Sequence, residues 1–306
     1  MERYNHLNKY LIEKFGSRTL KICVDGGFSC PNRDGVKSTF GCIFCGGGAG
    51  ENIVGKKSDV TASIKSQVTQ FLSSYRGLRA DKFIVYFQSF SGTYANVDTL
   101  KVRYDTALAS SDKIVGLQVA TRPDLVSLEV VDLLASYKDK YYVCVELGLQ
   151  TKSDDIGSDI NRCYTSSEFE NACKLLKSKG IDVVAHLMVG LPNQDLTEVL
   201  NTVDFLNRCG INGLKIHNTY VQTNTVLADR YLSGEYVPIT QEYYVDAVCR
   251  ILGRLNSDII IHRITADPPK GECLAPMWCT HKKLVLNAIN KKLDEMQISQ
   301  GCDLQD

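Results

Sequence analysis

The sequence has no surplus charge of either sign. Its 35 lysines and arginines balance 35 aspartates and glutamates over 306 residues. That removes any global electrostatic pull toward nucleic acid, although a local basic patch stays compatible with it. The two signs are mixed along the chain, so there is no acidic or basic tail. No apolar run approaches the ~20 residues needed to cross a bilayer, which excludes a membrane-spanning helix. The start, Met1-Glu2-Arg3-Tyr4-Asn5-His6, is polar and lacks the apolar stretch of a secretory leader. A reducing, cytoplasmic location is the expectation.

Cysteine, by contrast, is plentiful, with twelve residues. In a reducing compartment, cysteines in a tight pattern point to metal binding or catalysis more than to disulfides. Hydrophobic residues make up 44% and charged residues 23%, ordinary globular values. The length suits one large α/β domain or two smaller ones.

Short apolar runs alternate with segments of helical period. The runs at 20–24, 83–87, 115–120, 142–147, 183–189 and 213–217 are nearly continuous in apolar residues. That is the pattern of parallel strands covered on both faces. Between them, Ile64, Val68, Phe71, Leu72 and Tyr75 share one face of a helix over 61–76. Thr165 and Glu168 have the spacing of a capping box that opens a helix over 165–179, and Gly180 can end it. Val199, Val203 and Leu206 repeat the stripe over 195–209. Six βα units in series predict a parallel sheet with right-handed crossovers, a partial (β/α)6 barrel of the TIM type over residues 1–230. Beyond residue 230 the rhythm changes to a helix near 241–255, a strand at 259–261, Pro268-Pro269 and a helix over 281–297. This predicts a C-terminal α/β extension over 231–306, packed on the barrel.

Cys30, Cys42 and Cys45 lie in a glycine-rich loop directly after the first strand. The C-terminal ends of strands are where barrel sites are built. Thiolates are soft ligands that suit zinc or iron–sulfur clusters. A structural zinc site wants four protein ligands, commonly as two close pairs. Here there is one close pair and a third cysteine upstream. Three ligands leave one iron of a [4Fe–4S] cube open for a substrate or cosubstrate. A zinc knuckle completed by Cys23, otherwise a core residue, and a disulfide are the alternatives. Cys273 and Cys279 are too few for a second cluster and read as buried or free thiols.

Polar residues interrupt the apolar strands. His186 and His217 are either satisfied core histidines or groups facing a lumen, where a neutral imidazole bonds ribose or substrate. Glu146 is costly if buried unpaired, so it pairs with Arg122 or faces a cofactor. Lys215 faces the site or snorkels to the surface.

Several motifs occur in order: Cys-Pro-Asn-Arg-Asp-Gly at 30–35, Gly-Cys-Ile-Phe-Cys at 41–45, Tyr-Phe-Gln at 86–88 and Ala-Thr-Arg-Pro-Asp at 120–124. Glu-Leu-Gly-Leu-Gln at 146–150, Asn-Arg at 161–162, His-Leu-Met-Val-Gly-Leu-Pro at 186–192 and His-Arg-Ile-Thr at 262–265 follow. Over about 15–285 the chain thereby resembles the radical SAM superfamily. More narrowly it is similar to the YhcC/YtqA-type bacterial family, relatives of the elongator catalytic subunit. The resemblance implies a [4Fe–4S] cluster on Cys30, Cys42 and Cys45. It implies S-adenosyl-L-methionine chelating the open iron and a 5′-deoxyadenosyl radical on reduction. It places Gln88 and Ser89 near the methionyl amino group and Thr121 and Arg122 near the cofactor's charged end. Gln150 and Arg162 fall near ribose and carboxylate, and Glu146 and His186 also contact the cofactor. Lys215 and His217 are the further candidates for catalysis. A low-potential donor such as flavodoxin or ferredoxin is implied.

The substrate implied is the C5 side chain of the wobble uridine of tRNA, for example carboxymethylaminomethyl trimmed to aminomethyl. A small metabolite or peptide, or a non-enzymatic zinc-stabilised binding module, are the competing readings. Lys270, Lys282, Lys283, Lys291 and Lys292, with Arg76, Arg79 and Lys82, are candidates for an RNA face. Tyr94, Tyr220 and Trp278 are candidates to stack a splayed base. One departure stands out. Where related families have Arg-Gly-His, this chain has Arg162-Cys163-Tyr164, a side chain where glycine often marks a costly backbone conformation.

Overall fold

The computed structural model describes residues 2–46 and 59–304, so the glycine-rich stretch beyond Gly46 lies outside the described residues. The expected strands form as β1 (Thr19–Val24), β2 (Lys82–Phe87), β3 (Ile114–Thr121), β4 (Tyr142–Gln150), β5 (Asp182–Val189) and β6 (Gly213–Asn218). A two-residue β7 (Val221–Gln222), β8 (Ile260–Arg263) and β9 (Cys273–Ala275) follow. The main sheet is parallel and ordered β1-β2-β3-β4-β5-β6-β8.

The six-strand expectation is therefore one short. β8, expected in the extension, pairs with β6 through Gly213↔Ile260, Leu214↔Ile261 and Lys215↔Arg263. An isolated isoleucine run after a long break carries no periodicity that distinguishes an appended strand from a barrel strand. The sheet ends at β1 and β8, which makes a half-barrel with a seam. His6 bridges to Ile261 at that seam, and Lys21 Nζ lies 3.2 Å from His262 Nδ1 across it.

The helices are α1 (Leu7–Phe15), α2 (Val60–Ser73), α3 (Val97–Leu108), α4 (Leu128–Ala135), α5 (Asp154–Asp159), α6 (Ser166–Ser178), α7 (Leu196–Cys209), α8 (Val226–Leu232), α9 (Gln241–Arg254) and α10 (Lys282–Glu295). The capping box of α6 forms in both halves, and Gly210 closes α7 in the left-handed region, which glycine adopts without strain. The core lies between the outer sheet face and these helices. Ile22, Val85, Phe87, Leu117, Val145, Leu147, Val183 and Ile216 pack with Ile64, Val68, Leu100, Phe169, Val203 and Val248. Each such side chain contributes about 1.5–3 kcal/mol on full burial. Alternation along the strands then turns the other set of residues into the lumen. No described helix is long and apolar enough to cross a membrane.

Candidate functional site

The three cysteines sit at the C-terminal ends of the strands, on a loop held from beneath by the segment after β4. Asn32 is fully buried, and its Nδ2 donates to the carbonyls of Asn161 (2.7 Å) and Arg162 (3.3 Å). Asn161 Nδ2 donates back to Gly41 O at 2.7 Å. Ile43 N donates to Ile160 O at 3.1 Å, and Arg33 donates to the carbonyls of Cys45 and Gly46. A cavity of about 340 Å³ opens beside the loop, within the size range of ligand pockets. Cys30, Cys42 and Cys45 line it, as do Phe44, Gln88, Thr121, Arg122, Glu146, Gln150, His186 and His217. A recess of about 190 Å³ extends it between Phe44, His186, His217, Asn218, Tyr220 and Ala266. A larger hollow, about 1040 Å³, lies at the other end of the barrel among Lys14, Asp112, Lys138, Tyr142 and Asp182, with none of the cysteines in its lining.

The donor set fits an iron–sulfur cluster. Burial pushes the Cys42 thiol up to about 12, and the neighbouring Cys45 and Cys30 add to the shift. Thiols placed this close resist ionisation until a metal centre supplies positive charge. Cys23, the fourth ligand of the zinc alternative, is neither at the loop nor in the core. Its side chain is exposed and its Sγ donates to Gln88 Oε1 at 3.2 Å.

Beneath the cavity lies a buried polar layer centred on Glu146, which is 0% exposed. Its carboxylate accepts from Lys215 Nζ at 2.5 Å, His186 Nε2 at 2.8 Å and Lys21 Nζ at 3.4 Å, and from Tyr86 Oη and Gln118 Nε2. Burial alone raises its pKa, but Lys215, Lys21 and His186 outweigh that and hold the carboxyl well below its usual range. Burial pulls Lys215 down to about 8, opposed by Glu146. Of the two alternatives for Glu146, the pair with Arg122 does not form, and the carboxylate lines the cavity. Arg122 instead makes a bidentate pair with Asp124, both bonds 2.9 Å, because the two residues share one turn after β3. Lys215 touches Glu146 and Tyr86 and does not line the cavity.

Of the expected cofactor contacts, Gln88, Thr121, Arg122, Glu146, Gln150 and His186 line the cavity. Thr121 Oγ1 lies 2.6 Å from Thr93 Oγ1, and Gln150 accepts from Tyr164 Oη at 2.9 Å. Ser89 is buried and does not line the cavity, whereas Ser91 does. Arg162 does not line the cavity. It is 0% exposed, with donors spent on the carbonyls of Leu149 (2.8 Å), Thr151 (2.6 Å) and Tyr164 (2.8 Å) and on Asp154 (2.6 Å). It braces the loop that carries Asn161. His217 lines both hollows, and its Nε2 is buried without a partner.

Among residues not expected at the site, Phe44 and Tyr220 line both hollows, Asn218 lines the recess, and Arg263 lies beside Lys215 in the sheet register. Phe44 lies inside the cysteine motif, Asn218 follows His217 at a strand end, and Arg263 belongs to the His-Arg-Ile-Thr motif. Tyr220 was considered only as a base-stacking aromatic. The proposed RNA face is partly neutralised. Lys282, Lys291 and Lys292 pair with Asp267, Glu295 and Asp246, and Lys82 donates to Phe15 O. Trp278 is a packing residue: it stacks on Tyr244 and its Nε1 donates to Ile239 O at 3.1 Å. Cys273 and Cys279 are free thiols with Sγ atoms 3.6 Å apart.

Comparison with known proteins agrees with this geometry. Residues 35–206 match the model of the radical SAM superfamily, and residues 211–295 match that of the Radical_SAM C-terminal domain. YtqA of Bacillus subtilis is 35% identical over 304 residues, covering 98% of this chain and 92% of its own length. Elongator complex protein 3 of Danio rerio is 31% identical over 187 residues, 59% of this chain and 33% of that one. The structure of Elp3 from the archaeon Methanocaldococcus infernus superposes with a TM-score of 0.66 at 18% identity, covering 92% of this chain and 64% of that one. With the thiol loop, the curled parallel sheet and these matches in agreement, the chain belongs to the radical SAM superfamily, whose members use a [4Fe–4S] cluster and S-adenosyl-L-methionine.

Proposed function

We propose that this radical SAM enzyme modifies the C5 side chain of the wobble uridine of tRNA, shortening carboxymethylaminomethyl to aminomethyl. The observation that carries the reading is one cavity lined both by the three thiols and by strand-end polar groups. The link to tRNA is what the resemblance to the elongator catalytic subunit implies, and the match to elongator complex protein 3 is in keeping with that resemblance.

In this reading Cys30, Cys42 and Cys45 hold the cluster. When bound, the cluster and cosubstrate would supply one-electron chemistry: a hydrogen atom and then an electron leave the carboxymethyl carbon next to nitrogen, and water cleaves the resulting C=N bond, so the carboxymethyl group departs as glyoxylate and the amine stays on the uridine. The chain's own residues do the rest. Thr121, Arg122, Gln150 and Gln88 orient the cosubstrate's polar groups by hydrogen bonds. The Arg122–Asp124 pair leaves part of the guanidinium on the cavity wall, where it also donates to the carbonyls of Arg162 (3.2 Å) and Cys163 (3.3 Å). Phe44 presents an apolar face between the thiols and the recess. His186 is held neutral, because burial lowers its pKa more than Glu146 raises it. A neutral imidazole can bond substrate without adding charge. A flavodoxin or ferredoxin delivers the electron.

The test is anaerobic reconstitution beside Cys42→Ala. About four iron and four sulfide per chain are expected, with 5′-deoxyadenosine formed on reduction and lost in the variant. Hypomodified tRNA is then added. Loss of the carboxymethyl group, with binding that weakens steeply as salt rises, supports the reading. Deoxyadenosine formation with unaltered tRNA and salt-insensitive binding transfers the assignment to a metabolite or peptide.

A further inference from the structure

One wall of the recess has polar atoms without a partner among the described residues. Asn218, at the end of β6, is 1% exposed. Its Oδ1 accepts from the Ala266 backbone N–H at 2.8 Å and from Thr265 Oγ1 at 2.9 Å. A backbone N–H can only donate, so the amide has one orientation, and Nδ2 points the other way as a donor. Among the described residues, Nδ2 is buried without an acceptor, and so is the adjacent His217 Nε2 without a partner. Both side chains line the 190 Å³ recess with Tyr220 and Ala266. An unmet buried donor costs about 1–3 kcal/mol. Two neighbouring unmet atoms on one wall point to a ligand that completes them.

The charge around the recess says which kind. Lys21 and Lys215 both pair with the carboxylate of Glu146, and Arg263 lies beside Lys215 in the sheet register. The field of Arg263 reaches His186, Lys215, His217 and Tyr220, and no salt bridge to it is found among the described residues. The histidines do not add to this surplus. Burial holds His217 and His262 well below the usual imidazole value, with His186 and Lys21, respectively, acting in the same direction. A neutral carbonyl would satisfy the orphaned donor alone. Only an anion answers the donor and the field together.

We propose that this recess is the subsite for a carboxylate of the substrate, with Asn218 Nδ2 and His217 Nε2 donating to its oxygens while Arg263 and Lys215 supply the field. The recess has room for roughly six waters at about 30 Å³ each. It therefore takes a short acidic arm and leaves the bulk of the substrate in the larger cavity. This deepens the assignment above and rests on it for the identity of the arm.

The experiment measures equilibrium binding to the reconstituted enzyme, with and without S-adenosyl-L-methionine. The probes are 5-carboxymethylaminomethyluridine, 5-aminomethyluridine and N-methylglycine. The acid nucleoside is expected to bind at least tenfold tighter than the amine. Asn218→Asp keeps the acceptor for Ala266 N–H and turns the free donor into an anionic oxygen, so that preference disappears. His217→Phe keeps the ring and removes Nε2, and it lowers the preference independently. Thermal unfolding confirms that each variant is folded. Equal binding of acid and amine by the wild type overturns the proposal. So does mutual exclusion between the acid nucleoside and S-adenosyl-L-methionine, which would give the recess to the cosubstrate. If N-methylglycine binds in an Asn218-dependent way while nucleosides and tRNA do not, the carboxylate subsite stands and the tRNA assignment falls. If tRNA is processed and Asn218→Asp changes neither KM nor nucleoside preference, the tRNA assignment stands and the subsite falls.

Discussion

Two polar layers share the lumen of this half-barrel, one above the other. In the lower one, the Glu146 carboxylate is met by Lys21, Lys215, Tyr86, Gln118 and His186. In the upper one, Asn218 Nδ2 and His217 Nε2 meet nothing among the described residues. Both layers consist of residues that break apolar strands, so at the level of sequence they look alike. The difference is saturation. A buried network in which every member has a partner fixes the position of strands, while a layer with unmet atoms is shaped for something else. Glu146 and Lys215 thus act mainly as the floor on which the cavity rests. Asn218, which carries no charge, becomes the sharper marker of a binding wall.

The strongest way to break this contrast is to remove the centre of the lower layer. Glu146→Ala leaves Lys21 and Lys215 without their buried counter-charge. The expected loss is about 3–5 kcal/mol of unfolding free energy, the range for breaking a buried pair from one side. Urea unfolding measures it. A loss under about 1 kcal/mol would mean that water already screens the layer, and the contrast with the recess would collapse.

The two arginines near β4 offer a second comparison. Arg162 has its donors bound to three carbonyls and Asp154, while Arg122 keeps part of its guanidinium on the cavity wall. A lysine cannot reproduce that planar fork. Arg162→Lys is expected to cost about 2–3 kcal/mol by leaving carbonyls unmet. Arg122→Lys is expected to cost less stability and to weaken S-adenosyl-L-methionine binding more. Paired unfolding and binding titrations settle it, and equal stability losses would remove the distinction.

Acidification tests the neutral histidines of both layers. His186, His217 and His262 are all held below the ordinary value of 6.5, chiefly by burial. Just below that pH the unfolded chain binds protons that the folded chain refuses. Stability is therefore full above about pH 6.5 and falls as pH drops. The slope is about 1.4 kcal/mol per pH unit for each histidine that stays neutral. Glu146 acts lower on the scale. Its contribution is present above the ordinary carboxyl value of 4.5 and is lost as pH falls through its depressed folded value. Urea midpoints between pH 7.5 and 5.5 that do not move would show the histidines to be solvated.

Much of the scaffold was readable from local pattern. Strand runs, the capping box at Thr165 and the thiol loop depend on neighbours a few residues apart, and all three form. What was not readable depends on how a barrel staggers distant strands. Glu146 was expected to meet Arg122, from the adjacent strand's end, or to face a cofactor; it lines the cavity, and its cations come from β1 and β6. Arg162 was placed near ribose and carboxylate by the family resemblance. Only the fold of the loop after β4 shows its guanidinium turned inward against backbone. Asn218 and Arg263 carried a faint signal, as polar residues at the ends of short strands. Nothing in the sequence says that one amide nitrogen would be left without an acceptor.

The smallest expected effect concerns the residue that stands where related sequences have glycine. Cys163 has φ +59, in the left-handed region, so the chain keeps the conformation that glycine adopts freely and a side chain resists. Its thiol recovers part of the cost by donating to Asn161 Oδ1 at 3.2 Å. Its carbonyl accepts from Arg122 at 3.3 Å and Lys37 at 3.3 Å, contacts that any residue would retain. Cys163→Gly is therefore expected to change stability by no more than about 1 kcal/mol, relief of strain working against the looser unfolded chain. Cofactor binding should not move, since Cys163 does not line the cavity. If this variant instead lost iron or sulfide, the thiol beside the loop would belong with the upper layer rather than with the scaffold beneath it.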